Sequence, residues 1–90
     1  MLEKSFKITN VTGLDAKMSS LVVTRSSKFV SKITLQLEEL QVDLKSIMGV
    51  MSLNIHKGEV ITIICSGSDE AEALDELSVV INESKLGKEY

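Results

Sequence analysis

Ser46 stands immediately before Ile47-Met48-Gly49-Val50-Met51-Ser52-Leu53, a placement that puts a hydroxyl at the start of a short helix. A serine oxygen there accepts from the otherwise unpaired N–H groups of the first turn. Those groups, with the positive end of the helix dipole, also favour a phosphate at that position. The chemistry on offer is therefore phosphorylation of Ser46. Ile47, Val50 and Met51 share one helical face while Met48 projects elsewhere, so about two turns of helix present apolar surface in two directions. Thioethers suit adaptable contact surfaces, although the same spacing fits an ordinary capped helix with a methionine-rich core face. Asp15, before Ala16, is a good helix N-cap. His56, the one histidine, falls in the turn His56-Lys57-Gly58-Glu59 with no acid or cysteine at metal-ligand spacing, and reads as an exposed turn residue. Cys65 lies in Val60-Ile61-Thr62-Ile63-Ile64-Cys65, a strand-like run that makes it an inert core thiol.

These residues need a scaffold, and the periodicity supplies one. Phe6 and Ile8 point one way and Ser5, Lys7 and Thr9 the other, which predicts a strand that Asn10 to Gly13 then breaks. Met18, Leu21, Val22 and Phe29 recur at helical spacing, predicting a helix from about Ala16 to Lys28. Ile33, Leu35 and Leu37, then Leu40, Val42 and Leu44, mark two strands joined at Glu38-Glu39. A primed hairpin turn prefers Asn-Gly or Asp-Gly, so this connection is either strained or longer than two residues. After the Ser46 helix comes a strand from Val60 to Ser66. A last helix begins at Ser68 or Asp69, with Asp69 and Glu72 at capping-box spacing. Its apolar stripe reads Ala71, Leu74, Leu77 and Ile81, and Lys85 with Gly87 ends it. The order β-α-β-β-α-β-α predicts an α+β fold, with an antiparallel sheet covered by helices on one face and open on the other.

Composition bounds the partners. Ninety residues, 43% of them hydrophobic and 26% charged, fit one domain spanning residues 1–90. No apolar run approaches the ~20 residues of a membrane span, and Met1 to Lys7 lack a signal-peptide apolar region, so the expected location is the cytoplasm. A single cysteine suits a reducing compartment. A net charge of −3 with three aromatics argues against nucleic-acid binding. Proteins are the expected partners, with no membrane insertion.

Over nearly all 90 residues the chain resembles the HPr family, the histidine-containing phosphocarriers of the bacterial phosphoenolpyruvate-dependent sugar phosphotransferase system. The resemblance is carried by Leu44-Lys45-Ser46-Ile47-Met48-Gly49-Val50-Met51-Ser52-Leu53. Thr12-Gly13-Leu14 and Ser66-Gly67-Ser68-Asp69-Glu70-Ala71-Glu72-Ala73-Leu74 add to it. It implies an open-faced β-sandwich, a four-stranded antiparallel sheet with three helices on one face. It also implies a phosphoryl carrier or regulatory protein rather than a turnover enzyme, with no cofactor and no metal. The family's second functional segment is Gly-hydrophobic-His-Ala-Arg-Pro, and here it reads Gly13-Leu14-Asp15-Ala16-Lys17-Met18. Asp15 holds the place of the phosphate-accepting histidine, and Lys17 and Met18 hold those of the arginine and proline.

Asp15 cannot form a phosphohistidine. An acyl phosphate on its carboxylate would ordinarily need a metal to neutralise the charge, and Lys17 lacks the two-pronged grip of arginine. Asp15 as a cap, as an acyl-phosphate acceptor, and as a fixed charge partly imitating a phosphohistidine remain three readings of the residue. The resemblance further implies phosphorylation of Ser46 by a bifunctional HPr kinase/phosphorylase. Docking to a LacI-type catabolite control regulator would then act in carbon catabolite repression, a logic like that of the catabolite-repression HPr-like proteins. Phosphotransferase enzymes I and II are further implied partners. The implied docking face contains Asp15, Lys17, Met18, Ser20, Lys45, Ser46, Ile47, Met48 and Met51. An interaction-only paralogue is the remaining alternative.

Overall fold

In the computed structural model, which describes residues 1–90, the alternating segments become strands β1 (Leu2–Ile8), β2 (Lys32–Leu37), β3 (Leu40–Asp43) and β4 (Val60–Ser66). A fifth, β5 (Gly87–Glu89), follows the last helix. All pairings are antiparallel, in the order β3-β2-β4-β1-β5. The expected four-stranded sheet therefore has a fifth strand. Gly87-Lys88-Glu89 carries no strand signal of its own; the free edge of β1 templates it, pairing Ile8 with Gly87 and Phe6 with Glu89. Fully buried Leu86 anchors the turn into it.

One face of the sheet is apolar. Phe6 and Ile8 of β1, Ile33, Leu35 and Leu37 of β2, and Ile61, Ile63 and Cys65 of β4 are all buried there, as the period-2 alternation requires. The other face is open, with Ser5 and Thr62 sharing a cross-strand hydrogen bond of 2.8 Å and Gln41 donating to Gln36 at 2.8 Å. Helices α1 (Ala16–Ser26), α2 (Ile47–Ser52) and α3 (Glu70–Glu83) supply the rest of the core. On α3 the buried stripe is Ala73, Leu74, Leu77, Val80 and Ile81. Ala71, expected in that stripe, is exposed, because the helix turns its Ala73 and Val80 side toward the sheet.

Three connections also differ from expectation. Helix α1 stops at Ser26 rather than Lys28. The Ser26 and Ser27 hydroxyls donate to the Val22 and Val23 carbonyls at 2.7 and 2.8 Å, competing with continued helix. The β2–β3 turn holds only Glu38 and Glu39, since Leu37 pairs with Leu40. Of the two options for this turn the strained one holds, because Glu38 takes φ 55 without being glycine. Asp69 precedes α3 but makes no side-chain cap bond. Its carboxylate instead accepts from Val30 N–H at 3.0 Å, from Ser31 N–H at 2.9 Å and from the Ser31 hydroxyl. The capping-box spacing with Glu72 is unused, because donors brought by the α1–β2 connection capture the carboxylate first.

Candidate functional site

Residue 15 sits at the end of a loop that is held from inside and from outside. Asn10 Nδ2 donates to the Gly13 carbonyl at 2.8 Å, and Gly13 N–H donates to the Asn10 carbonyl at 2.9 Å. Leu14 N–H donates to the Ile55 carbonyl at 3.0 Å. Gly13 is required here on two counts, a φ of 67 and a backbone approach so close that a Cβ would overlap the Ile55 carbonyl oxygen. Asp15 then caps α1, its Oδ1 accepting from Met18 N–H at 2.9 Å and its Oδ2 from Thr12 Oγ1 at 2.6 Å. These bonds, the Thr12 hydroxyl foremost, with the Lys17 charge adding to them, hold the Asp15 carboxyl below its ordinary range. The group is thus an ionised cap with both oxygens engaged.

Further along α1, Lys17 and Ser20 are exposed, while Met18 is half-buried against the core. Buried Ser19 donates to the Leu14 carbonyl at 3.1 Å and ties the first turn to the loop before it. The proline position of the family pattern is thus occupied by an apolar side chain that packs inward.

Ser46 caps α2 as its spacing predicts. Its Oγ accepts from Gly49 N–H at 3.1 Å, and its carbonyl accepts from Val50 N–H at 3.0 Å. Gly49 makes room for this, since a Cβ there would lie 3.3 Å from the Ser46 Oγ. Val50 turns into the core, whereas Ile47, Met48 and Met51 are 41%, 82% and 42% exposed. Both readings of this helix thus hold in part, with one apolar residue serving as core and three facing outward. Lys45 does not turn to the serine: its Nζ donates to the Phe29 carbonyl at 2.6 Å. The α1 and α2 helices pack against each other, so the two capped helix starts belong to one layer.

Two other residues complete the inventory. Cys65 is fully buried, and that burial, with the charges of Glu70 and Asp69, pushes its thiol up, in keeping with an inert role. His56, distant from Asp15 in the chain, is exposed, yet its backbone lies against Gly13, whose Cβ would stand 3.0 Å from the His56 Cα. Reading along the chain missed this neighbour. The one available signal was Gly13 itself, since a loop glycine marks close approach by another segment.

Comparison with known proteins fits this geometry. Residues 2–83 match the family model described as the PTS HPr component phosphorylation site. The chain is 36% identical to a histidine-containing phosphocarrier protein of Mycoplasma, with a TM-score of 0.93 over 96% of this chain and 98% of that one. It is 42% identical to an HPr of Thermoanaerobacter tengcongensis, with a TM-score of 0.87 over 96% of each. Crh, the catabolite repression protein of Bacillus subtilis, described as a swapped dimer, is 36% identical, with a TM-score of 0.72 over 92% of this chain and 95% of that one.

Proposed function

The chain belongs to the HPr family of phosphotransferase-system phosphocarriers, and from that premise we propose that its regulatory centre is Ser46, with residue 15 no longer serving as the family's phosphoryl acceptor. The observation that carries this reading is the contrast between the two helix starts. At Ser46 the hydroxyl caps a helix flanked by three exposed apolar side chains, within an unbroken family segment. At residue 15 an aspartate, committed to Thr12 and Met18, stands where the family carries its histidine.

On this reading a bifunctional HPr kinase/phosphorylase transfers phosphate from ATP to Ser46 in the cytoplasm. The modified protein then docks to a LacI-type catabolite control regulator through Ile47, Met48 and Met51 on α2 and Lys17, Met18 and Ser20 on α1. The phosphate oxygens take over the cap bond from Gly49 N–H and add charge for an arginine of the partner. Lys45 contributes by position, its ammonium being engaged by Phe29. The protein acts as a carrier-type regulator rather than a turnover enzyme. An acyl phosphate on Asp15 would have to displace the Thr12 or Met18 bond and accumulate negative charge beside an ionised carboxyl oxygen.

Incubation with ATP and the serine kinase, followed by mass measurement after acid and after hydroxylamine, tests the proposal. The expected product carries one acid-stable, hydroxylamine-stable phosphate on Ser46, with amide shifts confined to α2 and its neighbours. Absence of that product would leave an interaction-only paralogue, and hydroxylamine-labile phosphate on Asp15 after treatment with phosphoenolpyruvate and enzyme I would overturn the assignment of residue 15.

A further inference from the structure

His56 is the chain's one imidazole, and the fold carries it to the loop that precedes α1. The contact is made by backbone. Leu14 N–H donates to the Ile55 carbonyl at 3.0 Å, and a Cβ on Gly13 would stand 3.0 Å from the His56 Cα. Two residues, at most about 7.6 Å of chain, separate Gly13 from Asp15. The turn bearing His56 is fixed on its other sides as well. His56 N–H donates to Glu59 Oε1 at 2.7 Å, Gly58 N–H to the Ile8 carbonyl at 2.8 Å, and Ile8 N–H to the Glu59 carbonyl at 2.9 Å. Ile55 beside it is 4% exposed. A rigid platform therefore presents an exposed ring whose nitrogens make no hydrogen bond within the protein. Such preorganisation serves a nucleophile held for a docking partner. Lys57 follows it directly and exposed Lys17 lies on the adjoining helix, both of suitable sign for phosphoryl oxygens.

We propose that His56 is a phosphoryl-accepting histidine, loaded from a phosphohistidine on a donor protein that docks over the loop before α1. A neutral ring nitrogen attacks phosphorus as the donor's N–P bond breaks, and the electron pair of that bond returns to the donor imidazole. The accepting ring releases the proton of its other nitrogen as the donor ring takes one up, so one N–P bond and one proton are exchanged. The proposal rests on family membership and is independent of Ser46, whose phosphate is acid-stable and comes from ATP.

The full chain is incubated with phosphoenolpyruvate and enzyme I, and a histidine-bearing HPr in the same tube reports that the donor is charged. Products are digested at neutral to mildly alkaline pH and mapped by mass. One acid-labile, hydroxylamine-stable phosphoryl group on the His56 peptide is expected. His56→Gln should lose it by about tenfold or more, with an unchanged amide spectrum. Ser46→Ala should retain it, and Asp15→Asn should retain or increase it, because a negative charge near the incoming group is removed. An unlabelled chain beside a labelled control, label on Asp15, or label that survives His56→Gln would each overturn the proposal. Labelling by potassium phosphoramidate but not by the charged enzyme would overturn it too, since reactivity without docking is not carrier function.

Discussion

At the scale of single residues, Ser46 and Asp15 announced themselves in the sequence because capping is local: an oxygen and the N–H three residues on need no third party. Their surroundings were less visible. The Lys45 ammonium is drawn to the Phe29 carbonyl, and His56 meets Gly13, through contacts that only the folded chain creates. Gly49 is the residue on which the chemistry at Ser46 most depends, since a Cβ there would stand 3.3 Å from the serine oxygen. Gly49→Ala should gain up to about 1 kcal/mol of helix propensity yet slow Ser46 phosphorylation by about tenfold, because one methyl group occupies the space an incoming phosphate needs. Kinase rates measured beside thermal melts would separate the two effects, and an unchanged rate would show that the serine has room to spare.

Among the elements, helices and strands were legible wherever a period of 3.6 or 2 ran unbroken, and connections were not. The α3 stripe shifted from Ala71 to Ala73 because alanines at either position satisfy the helical period, leaving packing on the sheet to choose. Glu38 at φ 55 shows a turn imposed by the register of its strands rather than by its own residue types. Asp69 shows a local signal overridden, its carboxylate serving the α1–β2 connection instead of the helix it precedes. That clasp has a pH signature. The Ser31 hydroxyl first, then the Val30 and Ser31 N–H groups, hold the Asp69 carboxyl below its ordinary value of 3.8. A carboxyl depressed in the folded state contributes stability that is fully present above the unfolded value and is lost as pH falls through the folded one. Unfolding midpoints should therefore drop as pH falls below about 3.8, with Asp15 and Glu70 adding in the same direction. Ser31→Ala should cost about 1 kcal/mol at neutral pH and flatten the acid limb of a denaturant series. A limb as steep as that of the unaltered chain would place the linkage elsewhere.

At the scale of the whole molecule, the open-faced architecture followed from alternation and element order, while the fifth strand did not, because its three residues borrow their conformation from a neighbour. Removing Gly87 to Tyr90 should lower stability by about 1–2 kcal/mol, or several degrees in Tm for a chain of this size. Amide exchange should rise along the Ser5 to Ile8 edge of β1. Equal protection with and without the last residues would show that the strand stands without its outer neighbour. The position of β1 between β4 and β5 also has a consequence for how the chain is made. The segment that leaves the ribosome first pairs only with segments that leave late, Val60–Ser66 and Gly87–Glu89. Throughout translation an adhesive edge thus waits without a mate, and the sheet closes only when release of the carboxyl end delivers the final strand.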